Sequence, residues 1–245
     1  TGSKDMLENS KGFGALYSDS FDPEKLTTGF EDNPKILEVA HKPYPGGRHL
    51  HSSRDALLEI FEIARSDGSK IPDDLESVTA RIFSTGAAYV DDPDPWAPGK
   101  GISGPNFSVQ FNLALMLLEG EEGLMRLYTP GYAMEKAGDE KLRGLMQKVL
   151  VVHDKELNRE WPNKWASEVT LKTHNAEYVR RVDLPKGEPE NPMEYKELKE
   201  KFRIMATAHA FTNNQSEQIC NVIENLDEIE DMTLLSTLFN PQNGH

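Results

Sequence analysis

The chain is poor in residues that staple, anchor or ligate. Its 245 residues include a single cysteine, Cys220. One thiol can neither close an internal disulfide nor build a thiolate metal cluster, a pattern that fits a reducing compartment. No apolar run approaches the roughly 18 residues that would cross a bilayer as a helix. The opening TGSKDMLENS has neither the cationic start nor the apolar core of a signal peptide. A cytoplasmic setting, or the mitochondrial matrix in a eukaryote, is therefore expected. Basic residues are also short, with 27 Lys and Arg against 41 Asp and Glu and a net charge of -14. That field repels phosphate backbones and anionic lipid surfaces, which argues against nucleic-acid and membrane partners.

Familiar catalytic and metal motifs are missing as well. His153, His174 and His209 have no companions at metal-ligand spacing, so no metal is assigned, and no cofactor is expected. There is no G-x-S-x-G elbow, and Cys220 lacks a basic context for nucleophilic work, so it reads as a small apolar filler in a helix. GKGISG, residues 99–104, matches a dinucleotide fingerprint, but DDPDPWAP stands where that fingerprint needs a strand, and its acids oppose a pyrophosphate. Asp91, Asp92 and Asp94 lack the loop glycine and closing glutamate of a calcium site. Both stretches read as solvated loop.

What remains is an ordinary folding composition, 37% hydrophobic and 28% charged. Residues 1–33 are broken by Gly and Asp, with short helical possibilities at Asp5–Asn9 and Pro23–Leu26. A strand is expected over Lys35–His41, ended by KPYPGG, because prolines and glycines cannot continue a ladder. Ser52, Ser53 or His51 could cap a helix to Arg65, with Ala56, Leu57, Ile60, Phe61 and Ala64 on its buried face. LESVTARIF (75–83) alternates as a strand. Ser108–Leu118 is an apolar helix closed by Gly120, in which Leu113, Met116 and Leu117 form a core stripe. Asp139–Lys148 is helical, VLVVHD (149–154) is a buried strand, and a hairpin turns at His174, Asn175 and Ala176, setting Val169 and Leu171 against Tyr178, Val179 and Val182. A Pro/Gly linker (185–192) precedes helices at Pro192–Ala210, Gln215–Leu226 and Thr233–Phe239. The fold class is α+β, with a mixed or antiparallel sheet and flanking helices.

The charge pattern is broken at one place. KPYPGGRHLHSS, residues 42–53, gathers a lysine, an arginine and two histidines in an acidic chain. An ammonium and an arginine fork can grip carboxylates, a histidine exchanges protons near neutrality, and the helix that follows adds its positive end. The competing reading is that Lys42 and Arg48 pair with surface acids while His51 merely caps the helix.

K-P-Y-P-G-G-R-H-L-H followed by Asp55, Ala56 and Leu57 resembles the signature of the MmgE/PrpD family. Further blocks run in the same order: NFSVQFNLALMLLEG, KVLVVHDKEL, LPKGEPENPMEYKELKEKF and NVIENLDEIEDMTLLSTL. The resemblance implies metal-independent lyases and isomerases of small polycarboxylates, which dehydrate 2-methylcitrate, decarboxylate cis-aconitate or epimerise iminodisuccinate. It also implies a large helical domain with a smaller α/β lid, usually in dimers. On that pattern residues 1–33 are a connector from a missing N-terminal helical domain, 34–187 the lid, and 188–245 a segment returning to the helical domain. Lys42 and His51 would be catalytic, and Arg48, His49 and Tyr44 would bind substrate. The expected reaction is dehydration of a hydroxy-polycarboxylate, with decarboxylation, epimerisation or a non-catalytic carboxylate-binding subunit as alternatives. The expected partners are a helical N-terminal half or partner chain, in a homodimer or hetero-oligomer. Phe111 stands where active relatives tend to carry a tyrosine, which would remove a hydroxyl able to donate a proton.

Overall fold

The computed structural model describes residues 5–29, 34–100 and 104–239. It divides into two compact units, residues 1–40 and 41–245. In the first, Asp5–Asn9 closes a single turn through Asn9 N–H to Asp5 O at 3.0 Å. Helix α1 spans Phe13–Tyr17, which the glycines on both sides of Phe13 concealed from pattern reading. Pro23–Leu26 forms the expected short helix, a 3-10 turn whose cap Asp22 accepts from Glu24 N. The strand expected from Lys35 is absent. Lys35–Glu38 is a 3-10 turn closed by a Lys35–Glu38 ion pair at 2.6 Å, with Ile36 and Leu37 exposed. Local charge pairing at three-residue spacing suits that turn, and among the described residues no strand pairs with this segment.

In the second unit the α+β expectation holds. Its elements in order are α2 (His51–Ser66), β1 (Leu75–Phe83), α3 (Ser84–Val90), α4 (Gly104–Phe107), α5 (Val109–Arg126), α6 (Tyr132–Glu135), α7 (Glu140–Met146), β2 (Val149–Asp154), β3 (Ser167–Thr173), β4 (Glu177–Val182), α8 (Tyr195–Ala208), α9 (Asn213–Glu224) and α10 (Thr233–Leu238). The sheet order is β2-β1-β3-β4, with β1 parallel to β2 and antiparallel to β3. One face is the core: Val78, Ala80 and Ile82 of β1 stand beside Val149, Val169 and Leu171 and are covered by the apolar faces of α2 and α5. The predicted stripe of α2, Ala56 through Ala64, is buried throughout.

The other sheet face is open, and this corrects two expectations. VLVVHD forms a strand but is not buried: Leu150 and Val152 project from the edge strand into solvent. A run apolar on both faces suggests a doubly covered strand, but here only Val149 and Val151 turn toward the core. In the hairpin Leu171 pairs with the buried Tyr178, whereas Val179 pairs with Thr170 on the exposed face. In α5, Gly120 takes a left-handed φ of 71° that breaks the helix where expected, after which the helix resumes to Arg126. Beyond the linker α8, α9 and α10 pack in sequence, and Cys220 is a buried free thiol on α9, as expected. GKGISG lies partly outside the described residues.

Candidate functional site

Pro43 and Pro45 carry no N–H, so the segment after His41 cannot join a sheet, and its carbonyls are held by side chains from distant elements. Lys201 on α8 donates to Lys42 O at 2.7 Å, and Tyr128 donates its hydroxyl to Pro43 O at 3.0 Å. Arg54 on α2 donates to Pro45 O at 2.8 Å, and Lys42 Nζ reaches forward to Gly46 O at 3.1 Å. Upstream, His41 N–H bonds Gly187 O at 2.7 Å, at a contact where a side-chain carbon on Gly187 would lie 1.8 Å from His41 O. The turn is thereby fixed by residues from four separate parts of the chain, and the sequence neighbours Lys42 to His51 inherit that rigidity.

The predicted site residues differ in how they are engaged. Arg48 grips Glu188 with both Nε, at 2.7 Å, and Nη2, and stacks over the Trp165 ring at 4.0 Å. The competing reading therefore holds for Arg48, which is paired with an acid. It does not hold for Lys42, which is exposed and forms no ion pair among the described residues. His49 is half-buried among Phe83, Tyr89 and Trp165, with ring centroids within 5.2 to 5.7 Å. Burial first, then the charges of Arg48 and Lys42, lower its pKa. Tyr44 is buried and hydrogen-bonds its hydroxyl to Glu121, and burial with that carboxylate raises its pKa far above normal.

His51 is not a cap. The cap position is Leu50, the last residue of a 3-10 turn over Arg48–Leu50, and His51 sits in the first turn of α2 with its Nε2 buried and without a hydrogen-bond partner among the described residues. Burial pushes its pKa well below 6.5, and Arg54, Lys42, Arg48 and Lys201 push it further the same way. The imidazole is therefore neutral at pH 7, with four cations close enough to act on it. Two of the four were missed from sequence. Arg54 lies one helical turn beyond His51, a spacing that could have flagged it. It is fully buried, bonds Asn112 as well as Pro45, leaves Nε and Nη1 without acceptors, and is brought down by burial to a pKa of about 9. Lys201 comes from 159 residues after Lys42, and no local pattern marks it.

A groove of about 770 Å³ runs beside this cluster, lined by Tyr44 and Lys201 but also by Asp55, Glu59, Glu121 and Glu194. Its carboxylates would repel a polycarboxylate, so volume alone does not make it the substrate site. Phe111 faces neither the cation cluster nor this groove: its ring is wholly buried, edge-on to Trp96 at 5.3 Å. Among the described residues no group of three or more His, Cys, Asp or Glu could hold a metal ion, and no helix is long and apolar enough to cross a membrane. Asp91 instead bonds Gln110 and His153, Asp92 pairs with Lys100, and His174 pairs with Glu76.

Fold and turn together define an α+β domain that presents a braced cationic loop over a mixed sheet. The family model described as the MmgE/PrpD C-terminal domain matches residues 44–228, and the chain belongs to the MmgE/PrpD family. It is 25% identical over 242 residues to cis-aconitate decarboxylase of Homo sapiens, an alignment covering 97% of this chain and 47% of that protein. The chain thus spans about half the length of this curated relative.

Proposed function

We propose that the chain supplies the cationic face of a lyase site for small polycarboxylates. The observation that carries this reading is Lys42, an ammonium without a carboxylate partner among the described residues, held on a rigid turn beside a neutral imidazole in a chain of net charge -14. An anion held there meets charge that needs no rearrangement, which is how fixed donors stabilise charge developing on carboxylate oxygens. Arg48, held on Glu188, contributes shape and residual field rather than a free fork, while His49 packs among aromatic rings and the Tyr44 hydroxyl is engaged by Glu121.

The human relative's name favours loss of CO₂ from a cis-aconitate-like acid. In that reaction the C–C bond to one carboxylate breaks, its electron pair is taken up by the conjugated acid, and a proton is then delivered to carbon. Lys42 suits both charge stabilisation and proton delivery. Dehydration of a hydroxy acid such as 2-methylcitrate instead needs a base to remove a proton, and the neutral His51, whose Nε2 has no hydrogen-bond partner among the described residues, suits that role. A helical half or second chain would complete the site, and a dimer is the proposed assembly.

The test is to mix the chain with cis-aconitate, citrate and 2-methylcitrate, measuring binding by calorimetry and following CO₂ release and the absorbance of new double bonds. Lys42→Ala should weaken acid binding about tenfold, the size of one charge-assisted contact. Because Lys42 is exposed, its melting temperature should stay within a few degrees of the parent. Unchanged acid binding in Lys42→Ala, or no binding by the parent chain, refutes the reading.

A further inference from the structure

Lys201 has no place in the reading above beyond bracing a carbonyl, yet its surroundings are unusual. It is half-buried on α8, donates to Lys42 O at 2.7 Å, and stands over the Tyr128 ring at 5.8 Å. An ammonium has three donors, and among the described residues only one of those of Lys201 has an acceptor. Other half-buried or tethered lysines of this chain are neutralised: Lys136 by Glu119, Lys164 by Glu160 and Asp183, Lys199 by Glu224. The Lys201 ammonium sits on the backbone carbonyl of Lys42, whose own ammonium also has no acid partner among the described residues, in a protein with 41 acidic residues to draw on. An ammonium on the braced turn and another on the helix that holds it, neither with a carboxylate among the described residues, suit an anion.

We propose that Lys201 is a binding residue of the carboxylate site, its ammonium acting with that of Lys42 so that the site selects acids bearing two or more carboxylates. This rests on the lyase reading and extends it to the C-terminal helix. One carboxylate can neutralise only one of the two ammoniums, whereas a di- or tricarboxylate can span both. The pKa of Lys201 is lowered first by burial and then by the charge of Lys42, and an anion bound there would relieve the second of these.

Citrate and acetate serve as probes on the full chain, with binding followed by calorimetry and by lysine Nζ resonances. Lys201→Met should weaken citrate binding about tenfold while changing acetate binding less than twofold. Lys201→Arg should retain citrate. Parent affinity should fall as pH rises through the depressed titration of Lys201, and Lys201→Arg should move that fall to higher pH, because a guanidinium keeps its proton. A purely structural brace would not move that profile. If Lys201→Met binds citrate as the parent does while Lys42→Ala does not, Lys201 is no part of the site and the lyase reading stands. If the parent, Lys42→Ala and Lys201→Met all bind citrate equally, or none binds it, the carboxylate site falls and this inference falls with it.

Discussion

Replacing Asp55 by asparagine should stabilise the protein at neutral pH. Asp55 sits in the second turn of α2, half-buried at the edge of the groove, and accepts one hydrogen bond, from Lys186 N–H at 2.6 Å. Burial raises its pKa from 3.8 to about 6. The Lys186 N–H and the charge of Arg54 partly oppose this, while Glu59 and Glu121 reinforce it. A carboxyl with a raised folded-state pKa is favoured neutral, so the cost of its charge is absent below about 3.8 and fully present above about 6. Between those values the native state holds more protons than the unfolded chain, and stability falls as pH rises. The span corresponds to about 3 kcal/mol as an upper bound. His51 acts the other way. Its lowered pKa means that the unfolded chain takes up a proton first as pH falls below 6.5, so its contribution to stability decreases toward acid. The parent profile mixes both effects, and the difference between Asp55→Asn and parent isolates Asp55. Urea unfolding from pH 3.5 to 8 should give a difference that is near its minimum around pH 4, grows through pH 5 and levels off above 6, with an amplitude of about 1 to 3 kcal/mol. A flat difference, or one that grows toward acid, would refute the buried-charge argument whatever its constant offset.

Glu188→Gln removes one half of the two-point grip on Arg48 and leaves the guanidinium against Trp165 without an anion. A loss of about 2 to 4 kcal/mol by urea unfolding is expected, because the carboxylate is almost fully buried while the arginine is partly hydrated. Phe111→Tyr places a hydroxyl in the core against Trp96. It should cost about 1 to 3 kcal/mol, seen as a lowered melting temperature, and should leave citrate affinity unchanged.

The elements that could be read from the sequence were those whose own periodicity met a single environment. The α2 stripe Ala56, Leu57, Ile60, Phe61 and Ala64, the alternation of β1 and the Gly120 break all follow from local pattern, and all are found. The misreadings occur where tertiary context decides. Leu150 and Val152 look like core residues and are exposed, because sheet order puts β2 at an edge with one face open. Lys35–Glu38 looks extended and is a turn. The candidate site divides in the same way. Lys42, Arg48 and His51 were visible as a charge anomaly within ten positions, but the partners that separate free from engaged cations are Glu188, Trp165, Tyr128 and Lys201, all brought in by folding. A local sequence can show that charge is concentrated; it cannot show which of those charges another part of the chain neutralises.

The same division explains how one helix serves two opposite electrostatic settings. Successive residues on a helix point about 100° apart, so the neighbours Arg54 and Asp55 face different sides of α2. Arg54, one turn from His51, is directed behind the proline turn and bonds its Pro45 carbonyl. Asp55, with Leu58 and Glu59 at three- and four-residue spacing, lines the groove. Tyr44 stands between them, its ring 5.4 Å from the Arg54 guanidinium and its hydroxyl on Glu121. The cationic turn and the acidic groove thus meet at Tyr44 and Lys201, both of which line the groove. A polycarboxylate approaching this domain is repelled by the carboxylates of the groove and attracted by Lys201, which stands at the groove, and by Lys42. Reversing one repelling charge in the groove by Glu59→Lys should therefore speed citrate association. Unchanged or slower association would show that the groove carboxylates do not act on the approaching acid.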